Sequence, residues 1–210
     1  MQADWHLILQ ERLKHPLPEI EAHLQMAPPQ RFKEMAHYKP NAQTRESAVL
    51  ILFYPKAGEI YFPLIQRPEY AGVHSGQVAL PGGKKDAEDT DLTATALRET
   101  WEEIGVYVLR EHVIGQLSTM YIPPSNFLVT PILAVIDFLP AFVPEAHEVV
   151  EILETDTAYF LTEDTRKQKI IQTKYMEAEV PYFDLHSRAV WGATAMILSE
   201  LRWVMRDLFI

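Results

Sequence analysis

The chain has 210 residues, 48% of them hydrophobic, which is enough for one well-buried globular domain. With 29 acidic against 19 basic residues its formal net charge is −10, a poor basis for non-specific binding to nucleic acid or anionic membranes. There is no cysteine, which excludes disulfides, zinc–thiolate sites and cysteine nucleophiles, and no apolar run approaches the ~18 residues of a membrane span.

In chain order, Trp5, Leu7, Ile8, Leu9 and Leu13 predict a short amphipathic helix that ends at Pro16-Leu17-Pro18. A second helical piece is expected over Glu19–Leu24, before Ala27-Pro28-Pro29 breaks the chain again. Met1–Leu13 holds two acidic residues and no uninterrupted apolar core, so it does not read as a signal peptide, and a soluble cytoplasmic protein is the expectation. Residues 1–45 read as an N-terminal helical extension wrapped on a domain of residues 46–210. A structural and a dimer-forming role both stay open for it.

Ala48–Tyr54 is a continuous apolar run of the kind that forms a buried strand, and Glu59–Gln66 reads as its antiparallel partner across a turn at Pro55–Gly58. Gln77–Leu80, Val106–Leu109 and Val113–Thr119 are further strand candidates. Tyr121–Asn126 reads as a loop and Phe127–Phe138 as containing a long strand. Glu148–Leu153 fits a strand or a short helix, Asp156–Thr162 a short helix, and Lys169–Tyr175 with Val180–Leu185 a hairpin. Val190–Leu208 repeats apolar residues at helical spacing. Strands with one central and one terminal helix predict a mixed sheet between helices.

The densest stretch is Gly82–Val106, GGKKDAEDTDLTATALRETWEEIGV. A strand feeds the glycine pair Gly82-Gly83, where the backbone can approach a ligand closely. Asp89, Thr90 or Asp91 can cap the helix that follows, and Gly105 stops it. Leu92, Thr95, Ala96 and Leu97 supply its apolar face. Residues three and four apart share a helix face, so Glu99, Glu102 and Glu103 project together. Three carboxylates this close ask for a cation, and a hard dication takes oxygen ligands and substrate phosphates alike. An acidic solvated face with an Arg98–Glu102 pair is the competing reading.

This stretch resembles the Nudix box of the Nudix hydrolases: Gly, five residues, Glu, seven residues, Arg-Glu, an apolar residue, any residue, Glu-Glu, any residue, Gly. Arg98–Val106 matches the second half, with Thr100 at the apolar place. Counted from Gly83, Asp89 stands where Glu is expected, and eight residues separate it from Arg98; counted from Gly82, Glu88 takes that place, and nine residues separate it from Arg98. Leu64–Arg67, His74–Gln77, Leu80–Gly83, Thr95–Glu99 and Val190–Ala195 further resemble the coenzyme A pyrophosphatase branch. In that branch a second Arg often precedes the His-x-Gly; here Ala71-Gly72-Val73 fill the place. The resemblance implies an α/β/α sandwich with a mixed β-sheet.

It also implies a Mg²⁺- or Mn²⁺-dependent hydrolase of diphosphate linkages. Its metal ligands would be Glu99, Glu102, Glu103 and the Gly82 carbonyl. Glu99 would serve instead in orienting or deprotonating water, and Arg98 would hold the loop or the carboxylates, with a purely structural role equally open. Glu148 is the first choice for general base, with Glu145 and Glu151 as alternatives. Arg67, His74, Ser75, Gln77 and Gly83 are the substrate-binding candidates. The leading substrate is CoA or acyl-CoA; another nucleoside diphosphate derivative such as ADP-ribose or NADH is the second reading, and a non-catalytic Nudix-like binding module the third.

Overall fold

The computed structural model describes residues 4–29, 39–69, 75–172 and 177–209. The frame of the molecule is β1 (Arg45–Lys56), which runs parallel to β7 (Phe127–Val135) and antiparallel to β2 (Glu59–Gln66) and β4 (Gly82–Lys84). Strand β2 adds β3 (Val78–Ala79) and β8 (Glu151–Asp156), and β7 adds β5 (Val113–Gln116) and β6 (Met120–Ile122). Among the described residues this makes an eight-stranded mixed sheet. Three further strands, β9 (Arg166–Gln172), β10 (Glu177–Leu185) and β11 (Arg188–Val190), form a separate antiparallel sheet.

Alternation along β1 divides the core in two, because successive side chains point to opposite faces. Ile51 and Phe53 enter one cluster with Trp5, Leu9, Phe62, Phe160 and Leu198. Ala48, Leu50, Leu52 and Tyr54 enter the other with Ala96, Ile104, Val106 and Val108. Each fully buried aliphatic or Phe side chain stabilises the fold by roughly 1.5–3 kcal/mol relative to exposure. The first face carries α1 (Trp5–Arg12), α2 (Ile20–Leu24), α4 (Thr157–Phe160) and α5 (Gly192–Met205); the second carries α3 (Leu92–Ile104). The expected sandwich of helices about a mixed sheet is thereby shown.

Several elements differ from expectation. Val106–Leu109 is not a strand: Val106 and Val108 are buried, but the segment has no partner strand among the described residues and leads into a 3₁₀ turn at Arg110–His112. The expected loop at Tyr121–Asn126 begins inside β6, which pairs with the start of β7 before the turn. Glu148–Leu153 is neither wholly strand nor helix; a turn carries Glu148, and β8 starts at Glu151. The first helix buries Trp5 and Leu9 yet leaves Leu7 and Ile8 exposed, so it is less amphipathic than its sequence suggests.

The described part of the N-terminal extension is fastened to α5. Arg12 donates to the Val204 carbonyl and pairs with Asp207, and the Ser199 hydroxyl donates to the Ala22 carbonyl. Glu200, fully buried, accepts from the Glu19 N–H, from both the N–H and the hydroxyl of Ser118, and contacts His23 Nε2 at 3.2 Å. Among the described residues, no helix is long and apolar enough to cross a membrane.

Candidate active site

Helix α3 starts where the Asp91 side chain accepts from the Ala94 N–H, and ends at Gly105, whose φ of 71° is the left-handed cap that glycine takes at least cost. Of the three possible caps, Asp91 is the one used. Thr95, Ala96, Thr100 and Ile104 face the sheet. Thr100 tolerates full burial at an apolar position because its hydroxyl donates to the Ala96 carbonyl. That orientation sends Glu99 and Glu103 toward the glycine pair on β4 and leaves Glu102 at the surface.

Gly82 sits opposite Val49. The flanking ladder bonds are Leu50 N–H to the Pro81 carbonyl and Lys85 N–H to the Glu46 carbonyl. Three pairs lie between these bonds, and the alternation makes Val49–Gly82 one of the kind that exchanges no hydrogen bonds, so the polar groups of Gly82 turn away from β1. Its N–H donates to Glu103 Oε2 at 2.8 Å. Its carbonyl stays unclaimed by β1. Glu103 is 1% exposed, its Oε1 has no hydrogen-bond partner among the described residues, and Arg67 Nη1 lies 3.6 Å from that atom. Burial pushes the Glu103 carboxyl up to about 7; the Gly82 N–H and Arg67 oppose the shift, and Glu99 and Glu148 add to it.

Glu99 lies against Gly83: a Cβ built on that glycine would fall 2.5 Å from the Glu99 Cδ. Burial raises the Glu99 carboxyl, Arg98 opposes this, and the charges of Glu102 and Glu148 reinforce it. Arg98 reaches both exposed-side carboxylates through Nη1, at 2.8 Å from Glu99 Oε1 and 2.8 Å from Glu102 Oε2. The three box glutamates therefore do not converge on one point. Two are bridged by Arg98 and the third is held by Gly82 and Arg67. Among the described residues no group of three or more acidic or imidazole side chains forms a ready cage.

The residues still fit a hard dication. All donors are oxygens, one buried oxygen is orphaned, and the glycine pair leaves backbone close by. Glu99, Glu102, Glu103 and the Gly82 carbonyl are the groups that would hold it. The two glycines separate folding from function. For Gly83→Ala we expect the fold to survive with a displaced Glu99, because the clash is with the end of a flexible side chain. Gly82→Ala puts its Cβ 2.5 Å from the Val49 Cα at a φ of +151°, so backbone must move and the protein should fail to fold. Circular dichroism and an activity assay on both variants check this contrast.

Glu148 lies on a turn that leans on α3. Val143 N–H donates to the Ile104 carbonyl and Glu145 N–H to the Glu103 carbonyl; Glu148 and Val149 N–H then both reach the Glu145 carbonyl. Of the three outer acidic residues, Glu145 bonds its own turn through the His147 N–H, and Glu151 pairs with Arg188. Glu148 alone of the three is felt electrostatically by both Glu99 and Glu103. Arg67, a substrate-binding candidate, faces Glu103, a pairing that residue spacing does not reveal. Ser75 is half-buried, and the Gln77 carbonyl accepts from the Arg67 N–H, which ties Gln77 to the residue that faces Glu103. His74 and Ala71-Gly72-Val73 lie outside the described residues.

A mixed-sheet sandwich with a glycine turn feeding an acidic helix defines a class, and comparison with known proteins identifies it. The family model for the NUDIX domain matches residues 44–180, more than half of the chain. The chain belongs to the Nudix hydrolase family. It is 31% identical over 178 residues to the Nudix hydrolase NudL of Yersinia pestis, covering 85% of this chain and 88% of that protein. It is 37% identical over 129 residues to the mitochondrial coenzyme A diphosphatase NUDT8 of Mus musculus, covering 60% of this chain and 61% of that one. The chain thus spans less than two thirds of that relative. In fold it resembles a MutT/nudix family protein from Enterococcus faecalis, with a TM-score of 0.53 at 18% identity over 89% of this chain and 70% of that one.

Proposed function

We propose that this chain is a Mg²⁺- or Mn²⁺-dependent pyrophosphohydrolase that cleaves CoA or acyl-CoA to 4′-phosphopantetheine and adenosine 3′,5′-bisphosphate. The observation that carries the hydrolase reading is Glu103: a buried carboxylate that accepts from the Gly82 N–H through one oxygen and has no hydrogen-bond partner for the other among the described residues, beside a glycine pair that lets a diphosphate approach. Similarity to a coenzyme A diphosphatase supports the choice of substrate. A bound dication would supply Lewis-acid polarisation of the phosphoryl oxygens and lower the pKa of water. In the reaction, water oxygen adds to one phosphorus, the bridging P–O bond breaks, and the bridging oxygen leaves on the other phosphate. Glu148 would take the proton of that water, with Glu99 in the same role as the alternative. Arg67 neutralises charge beside Glu103.

Incubation with CoA, ADP-ribose, NADH and nucleoside triphosphates tests the substrate. Turnover of CoA to the two named products is expected; strong ADP-ribose turnover without CoA turnover would move the assignment to the second reading. The segment Ala71-Gly72-Val73, which lacks the branch's upstream Arg, is what favours keeping that reading.

The site also predicts a pH dependence. Glu103 has its folded pKa raised from 4.5 to about 7, so it favours the folded, cation-free protein below pH 4.5, and that contribution is lost as pH rises through about 7. A dication binds the ionised form and releases the proton. Thermal melts with and without Mn²⁺ at pH 6 and pH 8 should show the larger Mn²⁺-induced rise at pH 8. An equal rise at both would place the raised carboxyl outside the cation site.

A further inference from the structure

Across the sheet from the glycine pair lies a cavity that the hydrolysis of a diphosphate does not use. Its apolar wall is Ile20 on α2, Pro40, Met120 on β6, Pro123 and Met196 on α5. At about 310 Å³ it has the size of a small-molecule site. Asn126 buckles two of its sides together. Its Oδ1 accepts from the Tyr121 hydroxyl and from Thr44 Oγ1, each at 2.9 Å, and its Nδ2 donates to the Gln43 carbonyl at 3.1 Å. The segment running on from Pro40 is thereby fixed to the turn that carries Pro123.

The polar groups around the cavity are already engaged. The Ser118 hydroxyl donates to Glu200 Oε1 at 2.6 Å and its N–H to Oε2 at 3.0 Å, where His23 Nε2 also lies, at 3.2 Å. Thr119 and Thr130 share a hydroxyl bond of 2.8 Å, and Tyr121 is spent on Asn126. The two charged side chains, Glu19 and Lys39, are exposed and of opposite sign. Little hydrogen-bonding capacity is left for a ligand, so the occupant that fits is apolar.

Strand register ties this cavity to the glycine pair. Lys84 stands opposite Ser47, Ser47 opposite Val129, and Val129 opposite Met120. Directly opposed residues share a sheet face. Three strand spacings separate the ends of this row, roughly 14 Å. Val129 and Met120 belong to the core cluster on the α5 side. Strand β4 pairs with β1 alone among the described strands, so a substrate held at this edge can pass to that face.

We propose that the cavity receives the acyl chain of an acyl-CoA whose diphosphate lies at the glycine pair. The acyl chain is the apolar end of a molecule otherwise made of phosphates, sugar, base and amides. Met120 and Met196, unbranched and polarizable, adapt to chains of different shape. This rests on the substrate class proposed above, and the test separates the two.

The test measures kcat and KM at saturating Mg²⁺ for CoA and for acyl-CoAs from acetyl to decanoyl. In the parent, each added methylene should lower KM about fourfold, the effect of burying one CH₂, until the cavity is full. A KM that stays flat along the series overturns the proposal. Ile20→Asp puts a charge in the wall at a position 42% exposed, where the fold tolerates it. It should cut the ratio of kcat/KM for octanoyl-CoA to that for CoA about tenfold or more. A merely structural Ile20 would lower both values and leave the ratio unchanged, and a parent-like ratio in the folded variant overturns the proposal. Met196→Ala enlarges the cavity and decides the matter if Ile20→Asp does not fold. The chain length at which KM levels off should increase, and an unchanged one overturns the proposal. If CoA is hydrolysed and chain length has no effect, the acyl site alone fails. If neither CoA nor any acyl-CoA is hydrolysed while ADP-ribose is, the substrate reading fails and takes the acyl site with it.

Discussion

Glu103→Gln should lower diphosphate hydrolysis on the order of 10³-fold while leaving the protein folded, since even groups behind a metal ligand cost 10–100-fold. The amide retains the volume of the side chain and can still accept from the Gly82 N–H with its oxygen. What disappears is the negative charge beside Arg67 and the orphaned oxygen. Removing a carboxyl whose pKa is pushed up to about 7 by burial should, if anything, raise the melting temperature of the cation-free protein at pH 8, because a buried ionised group is then no longer needed. The paired signature is therefore lost activity with unchanged or improved stability. Steady-state kinetics at saturating Mg²⁺ and a thermal melt read both halves. Activity within tenfold of the parent would remove Glu103 from the site.

Glu200→Ala should have the opposite signature. Glu200 is fully buried and serves three residues from the extension and from the segment after β5. Burial would raise its carboxyl, but the hydrogen bonds from His23 and Ser118 outweigh that and hold it below its ordinary value. Truncation strands two backbone N–H groups and the His23 ring, and at about 1–3 kcal/mol for each buried polar group left unsatisfied the loss comes to roughly 3–5 kcal/mol. At roughly 2–4 °C per kcal/mol for a protein of this size, the melting temperature should drop by about 10 °C. Because the folded pKa is lowered, this contribution is present above pH 4.5 and is lost as pH falls through the folded value, so parent and variant should converge in acid. A drop below about 2 °C at pH 7 would show that the extension is not fastened here.

What the sequence revealed, and what it hid, follow from the range of the interactions involved. The alternation along Ala48–Tyr54 and the helical spacing over Leu92–Ile104 are local, and both elements stand where the pattern put them. The acidic helix edge was equally plain. Val106 and Val108 alternate like a strand and are buried like one, but a strand needs a neighbouring backbone, and none of the strands pairs with it. Strand β6 was obscured by Pro123 and Pro124, which dominate any reading of the turn beside it. The Arg67–Glu103 contact brings the end of one strand to the last turn of a helix, and no residue spacing encodes that. The His23–Glu200 contact joins positions 177 apart. Asp89 accepts from the Thr95 hydroxyl and from Arg98 Nε, contacts that depend on where those side chains turn and that spacing does not show.

The two bonds that join the turn of Glu148 to the end of α3, Val143 N–H to the Ile104 carbonyl and Glu145 N–H to the Glu103 carbonyl, have an engineering corollary. Acidic groups far apart along the chain ride on one chassis, their separation gauged by a pair of short struts rather than by the peptide between them. Lengthening the surface connection at Arg110–His112 by a residue or two should therefore leave the spacing of the two carboxylates untouched. A single proline at 145, which deletes one strut, should throw that spacing out.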